Sequence, residues 1–136
     1  MLLGYAGMQQ ATGGGKALLY VAGAFNFGAA LVLVVLARFA PQLLGLDAPS
    51  DSQLLYVDLC ALLVAGFGVG YVLGGRDLSR FWPFISLGAL CKVGVAALAA
   101  GYFMSGNTGP LVMLLATGDA VFAVLFVRLL RASPTV

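Results

Sequence analysis

Four apolar stretches, each about twenty residues long and separated by short breaker-rich loops, limit what this chain can fold into more than any other feature. Hydrocarbon roughly 30 Å thick is crossed by ~20 helical residues, because each residue rises about 1.5 Å and every backbone polar group must be satisfied within the segment. The stretches run over 17–38, 54–73, 81–103 and 110–130. Pro41, Gly45, Asp47, Pro49, Ser50 and Asp51 interrupt the first pair, Gly74 to Asp77 the second, and Ser105 to Pro110 the third. With 62% hydrophobic and only 9% charged residues, the 136-residue chain departs from soluble domains, in which about a quarter of residues are charged. It reads as one all-α domain, an antiparallel bundle of four transmembrane helices over 17–131, with a flexible tail at 1–16 and a short one at 132–136.

Charge placement sets the expected orientation. Lys16, Arg76, Arg80, Arg128 and Arg131 fall on one side of the four spans and Arg38 alone beside the other, so both termini are expected in the cytoplasm. The amino terminus lacks the basic start of a secretory signal. Dispersed basic residues next to membrane spans give no nucleic-acid footprint. The expected partners are the lipid bilayer and further copies of the chain or a larger membrane complex.

Each span carries one strongly polar residue: Asn26, Asp58, Lys92 and Asp119. An unpaired Lys or Asp at a helix centre costs roughly 2.5–3.5 kcal/mol on insertion scales, and such residues normally face the bundle interior and find partners. Lys92 and Asp119 each fall near the middle of adjacent spans, which predicts an ion pair. Asn26 is the natural third member, and Asp58 is within possible reach of a lysine extended towards it. One lysine and two aspartates leave a formal charge of −1, which favours a shared proton or a bound cation. A structural polar knot is the plainer reading, since polar contacts between membrane helices average only about 0.6 kcal/mol and act mainly by excluding wrong packings.

Small residues cluster around these positions. Gly66, Gly70 and Gly74 repeat at intervals of four, the GxxxG pattern that lets helix backbones approach closely within one chain or between two. Gly88 and Ala96 flank Lys92 on its own face. These glycines lack the spacing and setting of a dinucleotide-binding loop. Arg76, Arg80 and Trp82 form an interfacial anchor, with Asp77 or Ser79 capping the third helix and Pro83 placed in its first turn. Cys60 and Cys91 match no metal or redox spacing and read as buried apolar residues.

The segment GVGYVLGGRDLSRFWPFISLGALCK, from Gly68 to Lys92, resembles the central motif of a family of small four-helix bacterial inner-membrane proteins: GxGYxxxxRDxxRxWP followed by GxxxK. GDAVFAVLF, from Gly118 to Phe126, is similar to that family's last span, an acid followed by aromatics, although Val121 and Phe122 stand where its members carry bulkier rings. The resemblance implies a four-helix fold in the bacterial inner membrane and implies no reaction.

No histidine, no glutamate and no serine beside a base leave catalysis without candidate residues, and no metal or cofactor is expected. The sequence points first to a non-enzymatic membrane protein, oligomeric or an accessory subunit, with a packing cluster of Asn26, Asp58, Lys92 and Asp119. The alternatives are a small proton- or cation-coupled transporter or channel using Asp119, Asp58 and Lys92, and a quinone, pigment or lipid binder with Tyr71, Trp82 and Phe84 as aromatic walls.

Overall fold

A computed structural model describes the backbone of residues 2–132 and the side chains of residues 13–132. It is all-helical: α1 (Leu2–Phe39), a short 3-10 turn (Pro41–Leu44), α2 (Asp51–Arg76), α3 (Leu78–Met104) and α4 (Pro110–Ala132). Each of the four helices contains a stretch long and apolar enough to cross a membrane.

Local chemistry explains why the helices outrun the hydrophobic stretches. α2 starts at Asp51 because Ser50 and Gln53 form a capping box, with Gln53 Oε1 accepting from the Ser50 N–H at 2.8 Å and Ser50 Oγ accepting from the Gln53 N–H at 3.4 Å. A single residue, Asp77, separates α2 from α3. Its N–H donates to the Leu73 carbonyl at 3.1 Å, and its carboxylate accepts from the Arg80 N–H at 3.1 Å and the Ser79 hydroxyl at 2.8 Å. Of the two expected capping residues, Asp77 is therefore the one used. This earlier start places Pro83 in the second turn of α3, where it offers no N–H to the Ser79 carbonyl.

The hydrogen bond from Ser79, with help from the Arg80 N–H, holds the Asp77 carboxyl below the usual carboxylate range. A folded-state pKa below the unfolded one means that the cap is fully present above about pH 4, the ordinary value, and is lost as pH falls through the depressed one. Hydrogen exchange at the Arg80 amide, corrected for intrinsic rates, should show protection near neutrality that disappears on acidification. Asp77→Ala should remove that protection at every pH.

The tail expected over 1–16 is drawn into α1, which begins at Leu2. Gly15 lies against α4, where an added Cβ would come within 2.7 Å of Leu129 Cδ1, so the backbone there is packed rather than free. Of the 132–136 tail, Ala132 closes α4 and the rest lies outside the described residues.

Helix α1 packs along α2, and α3 along α4. Most buried positions are small, including Ala22, Ala30, Ala61, Ala89, Ala116 and Ala123, with Leu19, Tyr71, Ile85 and Phe126 as the large exceptions, whereas Leu31, Leu62, Leu90 and Leu114 point outwards and are mostly exposed. A water-soluble bundle shows the reverse, and close packing over small residues is how helices associate where no hydrophobic effect drives them together.

The glycine contacts differ from the four-residue repeat read in the sequence. Gly66 is exposed, with no atom within 4 Å of an added Cβ. The backbones of α1 and α2 meet closely instead at Gly23 and Gly68, where a Cβ on Gly23 would lie 3.0 Å from the Gly68 carbonyl oxygen and one on Gly68 3.2 Å from that of Gly23. Gly70 and Gly74 do serve packing, but towards α3, making room for Phe84 and Ile85. Gly88 is buried and Ala96 half-buried.

At one end of the fold the 3-10 turn and the loop before α4 interlock. Gly45 adopts φ +78°, and a Cβ there would fall 2.6 Å from the Gly109 nitrogen.

Candidate functional site

The site is assembled from the middles of three helices. Lys92, 4% exposed, lies at the centre of α3 and donates from Nζ to Asp119 Oδ1 on α4 and, at 3.0 Å, to Asn26 Oδ1 on α1. Asn26 in turn donates from Nδ2 to the Val64 carbonyl of α2 at 2.9 Å. The expected ion pair and its asparagine are thus brought together, and all four helices are tied to one point.

Asp58 is not part of that centre. It is half-exposed and forms a bidentate pair with Arg38, whose Nη1 and Nη2 donate to Oδ1 and Oδ2 at 3.0 and 2.8 Å. The physical reason is proximity: the arginine in the last turn of α1 sits beside the early turns of α2, so a planar fork meets the carboxylate before a lysine from the middle of α3 can. The consequence changes the electrostatics. Without Asp58 the central cluster carries one positive and one negative charge, and the residual −1 that favoured a shared proton or bound cation disappears.

Three aromatic rings complete the lysine's surroundings. Nζ lies 5.4 Å from the ring centroids of Phe25 and Tyr71 and 5.5 Å from that of Phe122. Ring faces carry negative potential and attract a cation at this range, most strongly when it is desolvated. Sequence reasoning did not single out Phe25 or Phe122 for this role, although Phe122 stands three residues after Asp119 and so on the same helical face. Tyr71 reaches this place because Gly88, one turn before Lys92, has no side chain: a Cβ there would lie 2.6 Å from the tyrosine hydroxyl. The glycine–tyrosine and glycine–lysine elements of the sequence motif are therefore two halves of one contact.

Below this centre, towards Asp77, the interior is filled. Tyr71, Phe126, Leu19 and Ile85 are fully buried, and Tyr71 packs edge-on to Phe126 and Phe84 with centroids 4.9 and 6.0 Å apart. Trp82 is exposed, and of the three expected aromatic walls Tyr71 borders the cavity that adjoins Lys92, which neither Trp82 nor Phe84 lines. Arg76 and Arg80 are likewise exposed near this end.

Above the centre, towards the 3-10 turn, all four helices border a cavity of about 360 Å³ that is partly open to the outside, since Leu63 and Val95 on its wall are exposed. Lys92, Asp119 and Asn26 form its floor, and its walls are apolar, with Leu33, Leu63, Val95 and Val112 among them. The lining spans about two turns, roughly 10 Å, on α1, α3 and α4, and about three turns on α2, from Cys60 to Tyr71. Cys60 and Cys91 also border it; neither is fully buried and both are free thiols.

Comparison with protein-family models, with curated proteins and with solved structures returned no match to this chain.

Proposed function

We propose that the chain is a non-enzymatic, multi-pass protein of the bacterial inner membrane, four antiparallel spans with both termini in the cytoplasm, acting as an oligomeric or accessory subunit whose neutral polar centre sets helix packing around a chamber. Outward leucines and inward alanines and glycines support the membrane setting. The distribution of Lys16, Arg76, Arg80, Arg128 and Arg131 supports the orientation, and the central motif supports the bacterial inner membrane.

One observation carries the packing role: Lys92, Asp119, Asn26 and the Val64 carbonyl form a hydrogen-bonded chain through all four helices with zero net charge. A wrong helix order or a slip of one turn would strand at least one of these groups in hydrocarbon, so the chain selects a single arrangement.

A second reading, proton- or cation-coupled transport, is favoured by the cavity reaching Asp119, whose side chain retains 19% exposure. Proteoliposomes containing the protein and a pH-sensitive dye separate the two. The packing role predicts a proton leak equal to that of empty liposomes, for the wild type and for Asp119→Asn alike. A leak in the wild type that Asp119→Asn abolishes would replace the packing role with transport.

A further inference from the structure

The cavity floor has hydrogen-bonding capacity that the protein does not use, and its chemistry is specific. Both polar atoms of Asn26 have a partner, its amide nitrogen with Val64 and its oxygen with Lys92. The ammonium has three N–H donors, of which Asp119 and Asn26 take two. Asp119 Oδ2 meets no donor among the described residues, and no buried side-chain oxygen or nitrogen among them lacks a partner, so this oxygen retains exposure on a residue that lines the cavity. The floor therefore offers a carboxylate acceptor beside an ammonium whose third N–H has no oxygen or nitrogen partner among the described residues.

Charge narrows what can meet it. The pair is already neutral, so a cation would leave a net positive charge among apolar walls and an anion a net negative one; both are costly there. An amine would become a cation beside the carboxylate. Pure hydrocarbon, including a lipid acyl chain, would leave the acceptor and donor unmatched. A hydroxyl satisfies both at once, since its hydrogen goes to Asp119 and its oxygen accepts from Lys92. Size narrows it further. An apolar cavity of about 150 Å³ takes up benzene, and this one is more than twice as large.

We infer that the cavity binds a neutral, largely apolar alcohol or phenol, its hydroxyl seated between Asp119 and Lys92 and its hydrocarbon body against Leu33, Leu63, Val95 and Val112. The inference rests on the packing role proposed above, which supplies the neutral floor. A hydrogen bond between a hydroxyl and a charged group gives a matched ether, which has no donor, about a ten-fold or greater disadvantage.

The test uses the full-length protein in phosphatidylethanolamine–phosphatidylglycerol nanodiscs with 2-naphthol and 2-methoxynaphthalene as probes. Cys60 and Cys91 border the cavity, so their alkylation by N-ethylmaleimide, followed by mass spectrometry, reports occupancy. The expected result is that 2-naphthol slows alkylation at concentrations at least about ten-fold lower than its methyl ether does. The double substitution Lys92→Met with Asp119→Leu, which removes both charged groups of the floor and leaves Asn26, should abolish the difference. Equal protection by alcohol and ether in the wild type, or protection by neither, overturns the inference, and this arm needs no variant to fold. Either failure leaves the packing role standing, whereas proton flux that depends on Asp119 removes that role whatever the probes do.

Discussion

Lys92→Met lowers the stability of the bundle by about 2–4 kcal/mol, Asp119→Leu by somewhat less, and the two together by less than the lysine change alone, about 1–2 kcal/mol. The lysine change strands a carboxylate whose only described partner is that ammonium. Breaking a buried pair by removing one partner typically costs about 3–5 kcal/mol in water-soluble proteins, and a lone charge at a helix centre roughly 2.5–3.5 kcal/mol on insertion scales. The aspartate change is milder because the ammonium keeps Asn26 and three aromatic rings. Methionine and leucine need no partners, so the double variant removes the desolvation cost along with the attraction, and what remains is the Asn26 carbonyl left without its donor. Unfolding in mixed micelles by sodium dodecyl sulfate measures all four species of the cycle. Simple addition of the two single effects in the double variant would mean that the ammonium and carboxylate do not depend on each other, and the packing role would fall.

The same pair marks how far the sequence alone could be read. Lys92 and Asp119 were legible because a charge in a long apolar stretch has few places to go, and both lie midway along helices joined by a short loop. Asn26 followed from the same count. Asp58 did not, because position along one helix says nothing about competition: Arg38, at the adjoining helix end, offers a two-pronged partner nearby. The helix ends were set by capping side chains at Ser50, Gln53 and Asp77, which act one turn beyond the apolar pattern. The cavity left no trace in the sequence. Its walls are leucines and valines like those that face outwards, and two of them, Leu63 and Val95, stay exposed on the outer surface while lining it.

Glycine spacing was the most misleading signal, and it yields the second large effect: Gly68→Leu should cost about 3 kcal/mol or more, whereas Gly66→Leu should be neutral or slightly stabilising. Both glycines lie on α2 two residues apart, so they point in nearly opposite directions. At Gly66 a side chain enters open space and removes the entropy penalty of glycine in a helix. At Gly68 the first added carbon already meets the Phe27 ring at 3.1 Å, Asn26 Cβ at 3.2 Å and the Gly23 carbonyl at 3.2 Å. A ring or a side chain can swing aside, but the Gly23 oxygen belongs to the backbone of α1 and moves only if the whole helix moves. Displacing α1 lengthens the 2.9 Å bond from Asn26 to the Val64 carbonyl, and with it loosens the hold of Asn26 on Lys92. The damage should therefore exceed simple overpacking and extend to the polar centre. Detergent unfolding compares the two variants directly, and N-ethylmaleimide should alkylate Cys91 faster in Gly68→Leu than in Gly66→Leu. Equal losses from the two substitutions would mean that α1 and α2 meet through the GxxxG repeat after all, and the contact between Gly23 and Gly68 would no longer account for how the hairpin closes.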